Sequence, residues 1–141
     1  MTKFKPKLTR KSAVFIIIAA AALLAVVVLI CSGGGLDTPE ERAEYLASLG
    51  WEVDLSTEEE RAVTLPSSLD GVLLTYNELQ KQQGFDLTPY AGEDCRSYSY
   101  AVTNYPSGES GVIAQLIIHD GEVIAGDIHS SALGGFMHGL Q

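Results

Sequence analysis

The chain has 141 residues, 46% of them hydrophobic, and a formal net charge of −9 at pH 7. This length allows one membrane span and one small domain. Residues 32–141 carry four cations against all eighteen acids, a net charge of −14, whereas residues 1–31 carry the other five cations and no acid. A domain this acidic excludes nucleic acid as a partner, because neutralising phosphate requires Lys and Arg.

An apolar run of 19 residues without a charge begins at Ala13 and ends at Cys31. As a helix it would be about 28 Å long, close to the roughly 30 Å hydrocarbon thickness of a bilayer. Residues 13–31 therefore predict a transmembrane signal-anchor helix, with the lipid bilayer as its partner. The basic head, residues 1–12, predicts a single-pass protein of the cell membrane, with a cytoplasmic N-terminus and an extracytoplasmic C-terminal domain.

Two other interpretations of the apolar run stay open. A cleaved signal peptide usually has a shorter apolar region, of about 7–15 residues, but Cys31-Ser32-Gly33 offers a weak cleavage site. A lipoprotein would be lipidated at Cys31, although Ile30 is larger than the small residue expected before that Cys. If the span is retained, the Gly-rich linker at 32–36 reaches at most about 17 Å and keeps the outer domain near the membrane.

Residues 37–141 predict an α+β domain with two helices and an antiparallel sheet of three to five strands. The first helix begins with a capping box, in which Thr38 is the N-cap, Pro39 takes the first helical position and Glu41 reaches back. Gly50 ends this helix. Its short apolar stripe consists of Tyr45, Leu46 and Leu49.

Two short strands, residues 51–53 and 61–65, are expected to flank an acidic turn at residues 56–60 that is a solvated loop. A second helix is predicted to begin near Leu69 and to end at Gln83. Its buried face, at helical spacing, consists of Leu69, Val72, Leu73, Tyr76 and Leu79. An open sheet needs a partner layer, so this helix is expected to cover one face of the sheet.

Beyond the second helix the hydrophobic period changes to 2, which predicts a three-stranded antiparallel meander over residues 94–128. Residues 112–119 are the most apolar part and are expected to form the central strand. Asp120-Gly121 predicts a two-residue hairpin turn, because both positions tolerate positive φ. The tail, residues 130–141, is expected to hold a turn or a short helix at most.

Other residues of the outer domain are predicted to serve packing. Cys95 is expected to be a free thiol in the core. Four tyrosines are expected to pack across the sheet, with a peptide-binding or glycan-binding face as the alternative. They are Tyr90, Tyr98, Tyr100 and Tyr105.

Several segments carry a family resemblance. The most specific is NELQKQQGFDL at residues 77–87, followed by Tyr90-Ala91-Gly92. The others are GWEV at 50–53, TNYP at 103–106, GDI at 126–128 and the ending GFMHGL at 135–140. Over roughly residues 38–141, the chain resembles the bacterial domain of unknown function 4830 family. The resemblance implies a small extracytoplasmic domain, mostly from Gram-positive, clostridia-like bacteria, with no assigned activity.

The one cluster with metal-ligand chemistry consists of His119, Asp120, Asp127, His129 and His138. Asp127 and His129 lie two apart, so on a strand they face the same side. The hairpin residues of the cluster lie about 20 Å away along that strand. Three well-placed metal ligands are therefore not established, and no Gly-x-Ser-x-Gly elbow marks a nucleophile. The sequence predicts no cofactor, metal site or catalytic residue.

A functional surface, if the domain has one, is predicted at the end of the last strand and in the tail. Its residues are Asp127, His129, Phe136 and His138. The structural alternative is that Phe136 and Met137 plug the open end of the core, while Asp127 holds the tail by hydrogen bonds. The expected function is a non-catalytic binding or interaction module of the cell envelope, with a protein, peptide or glycan partner. The alternative is a small metal-dependent or hydrolytic enzyme that uses Asp127 and nearby His residues.

Overall fold

The computed structural model describes residues 35–141 and contains two helices and five strands. The helices are α1 (Pro39–Ser48) and α2 (Gly71–Gln82), and a short 3₁₀ helix covers Thr88–Tyr90. The strands are β1 (Val53–Thr64), β2 (Asp94–Val102), β3 (Val112–His119), β4 (Glu122–Ser130) and β5 (Met137–His138). They form one antiparallel sheet in the order β1-β2-β3-β4-β5. The predicted α+β class is confirmed.

The predicted membrane span at 13–31, the basic head and most of the linker lie outside the described residues. Within residues 35–141, neither helix has the length and apolar character needed to cross a bilayer. The anchor therefore stays a prediction from the sequence.

The two helices lie on opposite faces of the sheet. Their contacts show this, since successive side chains of a strand point to opposite faces. Leu46 of α1 is fully buried in a core cluster with Tyr100 and Leu116. Tyr76 of α2 packs against a second cluster that contains Ile117. We call the two sides the α1 face and the α2 face. The expectation that the helix predicted at 69–83 covers one face of the sheet is confirmed in part, because α2 packs on this face beside β4 and leaves the part over residues 97–99 and 113–115 open.

Features fixed by neighbours in the sequence form as predicted. The Glu41 backbone N–H donates to Thr38 Oγ1 at 3.2 Å, and the Thr38 N–H donates to Glu41 Oε2 at 2.9 Å. The hairpin turn has φ of 48° at Asp120 and 78° at Gly121. Cys95 is a free, buried thiol, and burial raises its pKa.

The acidic turn is wrongly predicted as a loop between two short strands. It is a bulge inside one continuous strand, β1. Asp54 pairs with Ala101 and Glu59 pairs with Ser99, so residues 55–58 all oppose a single residue of β2. Asp54 holds the bulge together, since its Oδ1 accepts hydrogen bonds from the N–H and the hydroxyl of Ser56 at 3.0 and 2.6 Å.

The bulge turns Glu58 inward toward Arg42 of α1, whose residue is only 3% exposed. Arg42 Nη2 donates to Glu58 Oε2 at 3.0 Å and Nε donates to Tyr100 Oη at 2.7 Å. The guanidinium also lies 3.7 Å above the ring centre of Tyr98. Burial opposes the charge of Arg42, but the hydrogen bonds outweigh burial and raise its pKa. Glu58 is therefore a structural residue and not part of a solvated loop.

The predicted buried face of the second helix is wrong in part. Val72 is 88% exposed, whereas Asn77 and Gln80 are completely buried. The physical reason is that α2 lies beside the edge of β4, where backbone groups need polar partners. Gln80 Oε1 accepts a hydrogen bond from the Gly126 N–H at 2.9 Å. Apolar spacing alone does not reveal such a face.

The tail contains a turn at residues 133–134, as predicted, but it also forms a two-residue strand, so the prediction of a turn or short helix at most is wrong in part. In β5, His138 pairs with Ile128 and Met137 pairs with His129. The Gly-rich tail has weak helix propensity, so its backbone N–H and C=O groups do not pair within a helix. Pairing with β4 gives these groups their hydrogen-bond partners.

Beyond this two-residue strand, a side chain takes over the pairing between β4 and the tail. Gln83, the C-cap residue of α2, donates from Nε2 to Gly126 O at 3.0 Å and accepts at Oε1 from Leu140 N at 2.6 Å. A Cβ at position 139 would lie 2.7 Å from Gln83 Cδ, so Gly139 makes this approach possible. We call this arrangement the glutamine bridge.

Candidate binding site on the α2 face

Asp127 is 1% exposed and lies on the α2 face of β4. Its Oδ1 accepts a hydrogen bond from the Tyr76 hydroxyl at 2.7 Å, and its Oδ2 lies 2.7 Å from His129 Nδ1. Burial raises the pKa of Tyr76 above its usual value, and the charge of Asp127 and their hydrogen bond raise it further. Asp127 therefore joins α2 to β4 and does not hold the tail backbone.

The contact with Asp127 sets the hydrogen-bonding role of His129. An ionised carboxylate only accepts hydrogen bonds, so Nδ1 of the imidazole is the donor. In the neutral ring Nε2 then carries the lone pair. The His129 side chain is 25% exposed, and its Nε2 makes no hydrogen bond within residues 35–141. The Tyr76–Asp127–His129 chain therefore presents one oriented acceptor to an incoming ligand.

His129 lies at one side of a depression of about 530 Å³ over the part of the α2 face that α2 leaves open. Its lining includes three uncharged polar side chains of β2 and β3, namely Ser97, Ser99 and Gln115. Ser99 pairs with Gln115, which pairs with Asp127, so they form a polar row across three strands. None of the three side chains hydrogen-bonds to another described residue, although Ser97 is only 7% exposed. We call this surface the polar depression.

The charged groups near the polar depression lie on β1. Arg61 and Glu59 line it and form an exposed ion pair at 3.1 Å. The other cations of residues 35–141 are also paired with carboxylates. They are Arg42 with Glu58, Lys81 with Glu78, and Arg96 with Glu60. An anionic ligand therefore meets no unpaired Lys or Arg in the described region.

Phe136 and His138 lie away from Asp127 and His129. His138 pairs with Ile128, which places it on the α1 face, whereas His129 pairs with Met137. The sheet therefore separates the four residues predicted as one surface into two pairs. Only the first pair lies beside a cavity with unpartnered polar groups.

Phe136 and His138 belong to an aromatic cluster with Trp51 and Tyr105, with ring centres 5.0 to 5.9 Å apart. His138 Nδ1 lies 2.7 Å from Gly139 O, so it donates, and Nε2 accepts from the Tyr105 hydroxyl at 3.0 Å. Both nitrogens of His138 are therefore occupied. Phe136 packs against the α1-face core, while Met137 is 51% exposed.

His119 and Asp120 lie at the hairpin end of the sheet. His119 Nδ1 is 3.0 Å from Asp94 O, and the ring meets Tyr90 edge to face. Asp120 has a 92% exposed side chain. Within residues 35–141, no group of three His, Cys, Asp or Glu residues is arranged to hold a metal ion.

A second depression, of about 610 Å³, lies near this hairpin and is lined by residues including Leu36, Asp94 and Asp120. It is larger than the polar depression. Its lining includes no histidine, and its buried polar groups, the Cys95 thiol and the Tyr98 hydroxyl, already hydrogen-bond to Glu93 and Glu60. Chemistry therefore favours the smaller depression.

Sequence reasoning identified Asp127 and His129 but missed Tyr76, Ser97 and Gln115 as parts of the same site. The period-2 pattern over residues 94–128 carries a signal, since alternation along a strand places Ser97 and Ser99 on the face opposite Tyr98. Tyr76 was assigned to an apolar core face, and only the packing of α2 on β4 reveals its hydroxyl contact with Asp127.

One comparison with known proteins gives a match. The sequence profile of a family described as Domain of unknown function (DUF4830) matches residues 45–128. Searches of curated proteins and of solved structures find no match. The matched residues include β1 to β3, α2 and most of β4.

Proposed function

Because the chain belongs to the DUF4830 family, whose description names no activity, we propose a function from the geometry: a non-catalytic binding module held at the outer surface of the cell membrane. The polar depression is its ligand site, and an envelope protein, peptide or glycan is its partner. The observation that carries the proposal is a set of polar side chains without protein partners, gathered in one cavity beside an oriented His129.

The membrane part of the proposal rests on the sequence of residues 1–31. Five cations before an apolar run of 19 residues favour a cytoplasmic N-terminus and an outer domain. Protease added to intact protoplasts is expected to remove the C-terminal domain. Survival of the domain until the membrane is broken would show the opposite orientation.

Ligand binding is tested with the full chain, isotopically labelled, in nonionic detergent micelles. Envelope peptides and glycan fragments are titrated while backbone and imidazole NMR signals are followed. We expect shifts at Ser97, Gln115 and His129. Gln115→Met removes an unpartnered amide from the cavity and should weaken binding, whereas Gln82→Met, on exposed helix surface, should not. Shifts confined to the aromatic cluster or the hairpin would contradict the assignment of the site.

The Asp127–His129 contact also favours a second candidate, a small hydrolytic enzyme. A carboxylate on Nδ1 orients an imidazole for general-base catalysis at Nε2. Ser99 lies two strands from His129 in the sheet, about 10 Å at ordinary strand spacing, so water is the nucleophile that this geometry favours. Turnover of carboxylic esters by the full chain, lost in His129→Gln, would support the enzyme. Binding without turnover would support the binding module.

A further inference from the structure

We propose that the polar depression binds an organic ammonium group, with His129 Nε2 as a hydrogen-bond acceptor. The ammonium belongs to a polyamine or to the Lys side chain of a peptide, which share this chemistry. The inference rests on the proposed function, since it takes the polar depression as the ligand site and names the ligand class.

The first step concerns the charge of Asp127. This carboxylate is 1% exposed, and its two partners are the hydroxyl of Tyr76 and the imidazole of His129. Each of the four Lys and Arg residues in the described region pairs with another carboxylate. Buried charges are normally paired. A cation bound at His129 Nε2 would compensate the carboxylate through the ring.

The second step concerns hydrogen-bond polarity. Nδ1 of His129 donates to Asp127, so Nε2 of the neutral ring requires a donor from the ligand. An ammonium group has three donors and no acceptor. The lining supplies further acceptors, namely the hydroxyls of Ser97 and Ser99 and the amide oxygen of Gln115. Ser97 is especially informative, because it is 7% exposed and its hydroxyl has no partner among the described residues.

The third step concerns the electrostatic field. The region from residue 32 onward carries four cations and eighteen acids, a net charge of −14. Such a field attracts cations and repels anions over distances of about a Debye length, roughly 10 Å at 0.1 M salt. Glu59 places one carboxylate at the rim, although it is shared with Arg61.

The test uses the full chain in nonionic detergent, with calorimetry and imidazole NMR as readouts. The probes are 1,4-diaminobutane, a short neutral-backbone peptide with one Lys, and the same peptide with that Lys acetylated. We expect both amines to bind and to shift His129 Nε2. Acetylation should weaken binding about tenfold or more, the effect of losing one charge-assisted hydrogen bond. If only the peptide or only the polyamine binds, that result identifies the source of the ammonium and supports the proposal.

His129→Phe removes the acceptor and should abolish the preference for amines. His119→Phe is the matched control, because His119 is similarly exposed, at 20% against 25%, but lies by the hairpin. If His129→Phe does not fold, Gln115→Met provides the decision, since it removes an acceptor from the depression and should weaken amine binding. Equal binding of the acetylated peptide in the depression would overturn the ammonium assignment and leave the binding module standing. The assignment would also be overturned if amine binding survived in His129→Phe. It would be overturned as well if no probe shifted the NMR signals of the depression, and that result would also contradict the proposed site.

Discussion

At the residue scale, Asp127 links the stability of the domain to its candidate site. Its buried carboxylate is held by Tyr76 from α2 on one oxygen and by His129 on the other. The first contact attaches a helix to the sheet, and the second orients the acceptor offered to a ligand. The structural and functional interpretations of Asp127 are therefore not exclusive. Asp127→Asn is expected to lower both stability and ligand binding.

Tyr76→Phe isolates the structural part of this arrangement. The substitution removes a hydrogen bond to a buried charged group and should lower the free energy of unfolding by about 1.5–3 kcal/mol. Urea unfolding of the full chain in detergent, followed by Trp51 fluorescence, measures the loss, since Trp51 is the sole tryptophan. Tyr90→Phe is the control, because the Tyr90 hydroxyl has no partner within residues 35–141. Equal stability of the two variants would contradict the role of the Tyr76 hydroxyl.

Tyr76 should also make the stability of the domain depend on pH in the alkaline range. Burial raises its pKa in the folded domain, and the neighbouring Asp127 charge raises it further. A raised folded pKa means that its contribution to stability is complete below the unfolded pKa of about 10 and is lost as the pH rises above it. The Tyr76→Phe variant should therefore lose less stability than the unmodified chain between neutral pH and about pH 11.

Asp86, in the connector after α2, should make the stability of the domain depend on pH in the acid range. Its pKa is lowered to about 2 by hydrogen bonds from the Asn77 side chain and from the Thr88 hydroxyl and N–H. A lowered folded pKa contributes stability above the unfolded value, about 3.9, which is lost as the pH falls toward the folded value. The melting temperature should therefore fall less steeply in Asp86→Asn than in the unmodified chain over that acid range. Asp70→Asn is the control, since Asp70 makes no side-chain cap hydrogen bond; equal acid slopes in both variants would contradict the prediction.

At the scale of elements, β4 is paired along its outer edge by two different kinds of group. Residues 128–129 pair with β5, and Gly126 is satisfied by the side chains of Gln80 and Gln83. Side chains at the C-terminal end of α2 thus hydrogen-bond to the β4 backbone where no neighbouring strand pairs with it. Trp51 completes the arrangement, because its Nε1 donates to Leu140 O at 2.6 Å.

Gln83→Ala tests the glutamine bridge. The substitution leaves Gly126 O and Leu140 N without their partner, which should cost about 1–3 kcal/mol in the free energy of unfolding. The control is Gln82→Ala, the same substitution at the adjacent, exposed position, and its effect on the free energy of unfolding should be within about 0.5 kcal/mol. Hydrogen exchange of the Leu140 N–H should also speed up in Gln83→Ala alone. Unchanged exchange at Leu140 would show that the bridge does not hold the tail.

These elements also show what a sequence predicts and what it does not. The capping box of Thr38 and Glu41 and the turn at Asp120 depend on residues at most three apart, so local chemistry was enough. The long strand β1 was missed because its bulge is held by Asp54 and lies opposite Tyr100 of β2, about 40 residues further along the chain. Half of the candidate site was predictable, since Asp127 and His129 are neighbours on one strand. Tyr76 was not, because no local pattern distinguishes a core tyrosine from one that holds a carboxylate.

At the scale of the whole molecule, excess negative charge is the dominant feature of the region 32–141. Its four cations are all paired with carboxylates, and fourteen of its eighteen acids have no such partner. Repulsion among like charges destabilises a compact state. The pairs themselves are mostly exposed and contribute little, about 0–1 kcal/mol each. Salt should therefore weaken the repulsion among the unpaired carboxylates more than it weakens the attraction within the ion pairs.

The expected result is that NaCl stabilises the domain. Raising the salt from about 0.01 M to 1 M shortens the Debye length from about 30 to 3 Å. We expect the melting transition, followed by Trp51 fluorescence in the full chain, to rise by several degrees, since about 1 kcal/mol corresponds to roughly 4–8 °C in a domain of this size. Glu109→Lys, in an exposed loop, adds a cation where no pair exists and should flatten the salt dependence. Arg61→Gln removes a cation and should steepen it. A melting temperature that falls with NaCl would mean that the ion pairs, the buried Arg42–Glu58 contact foremost, outweigh the repulsion of the unpaired carboxylates.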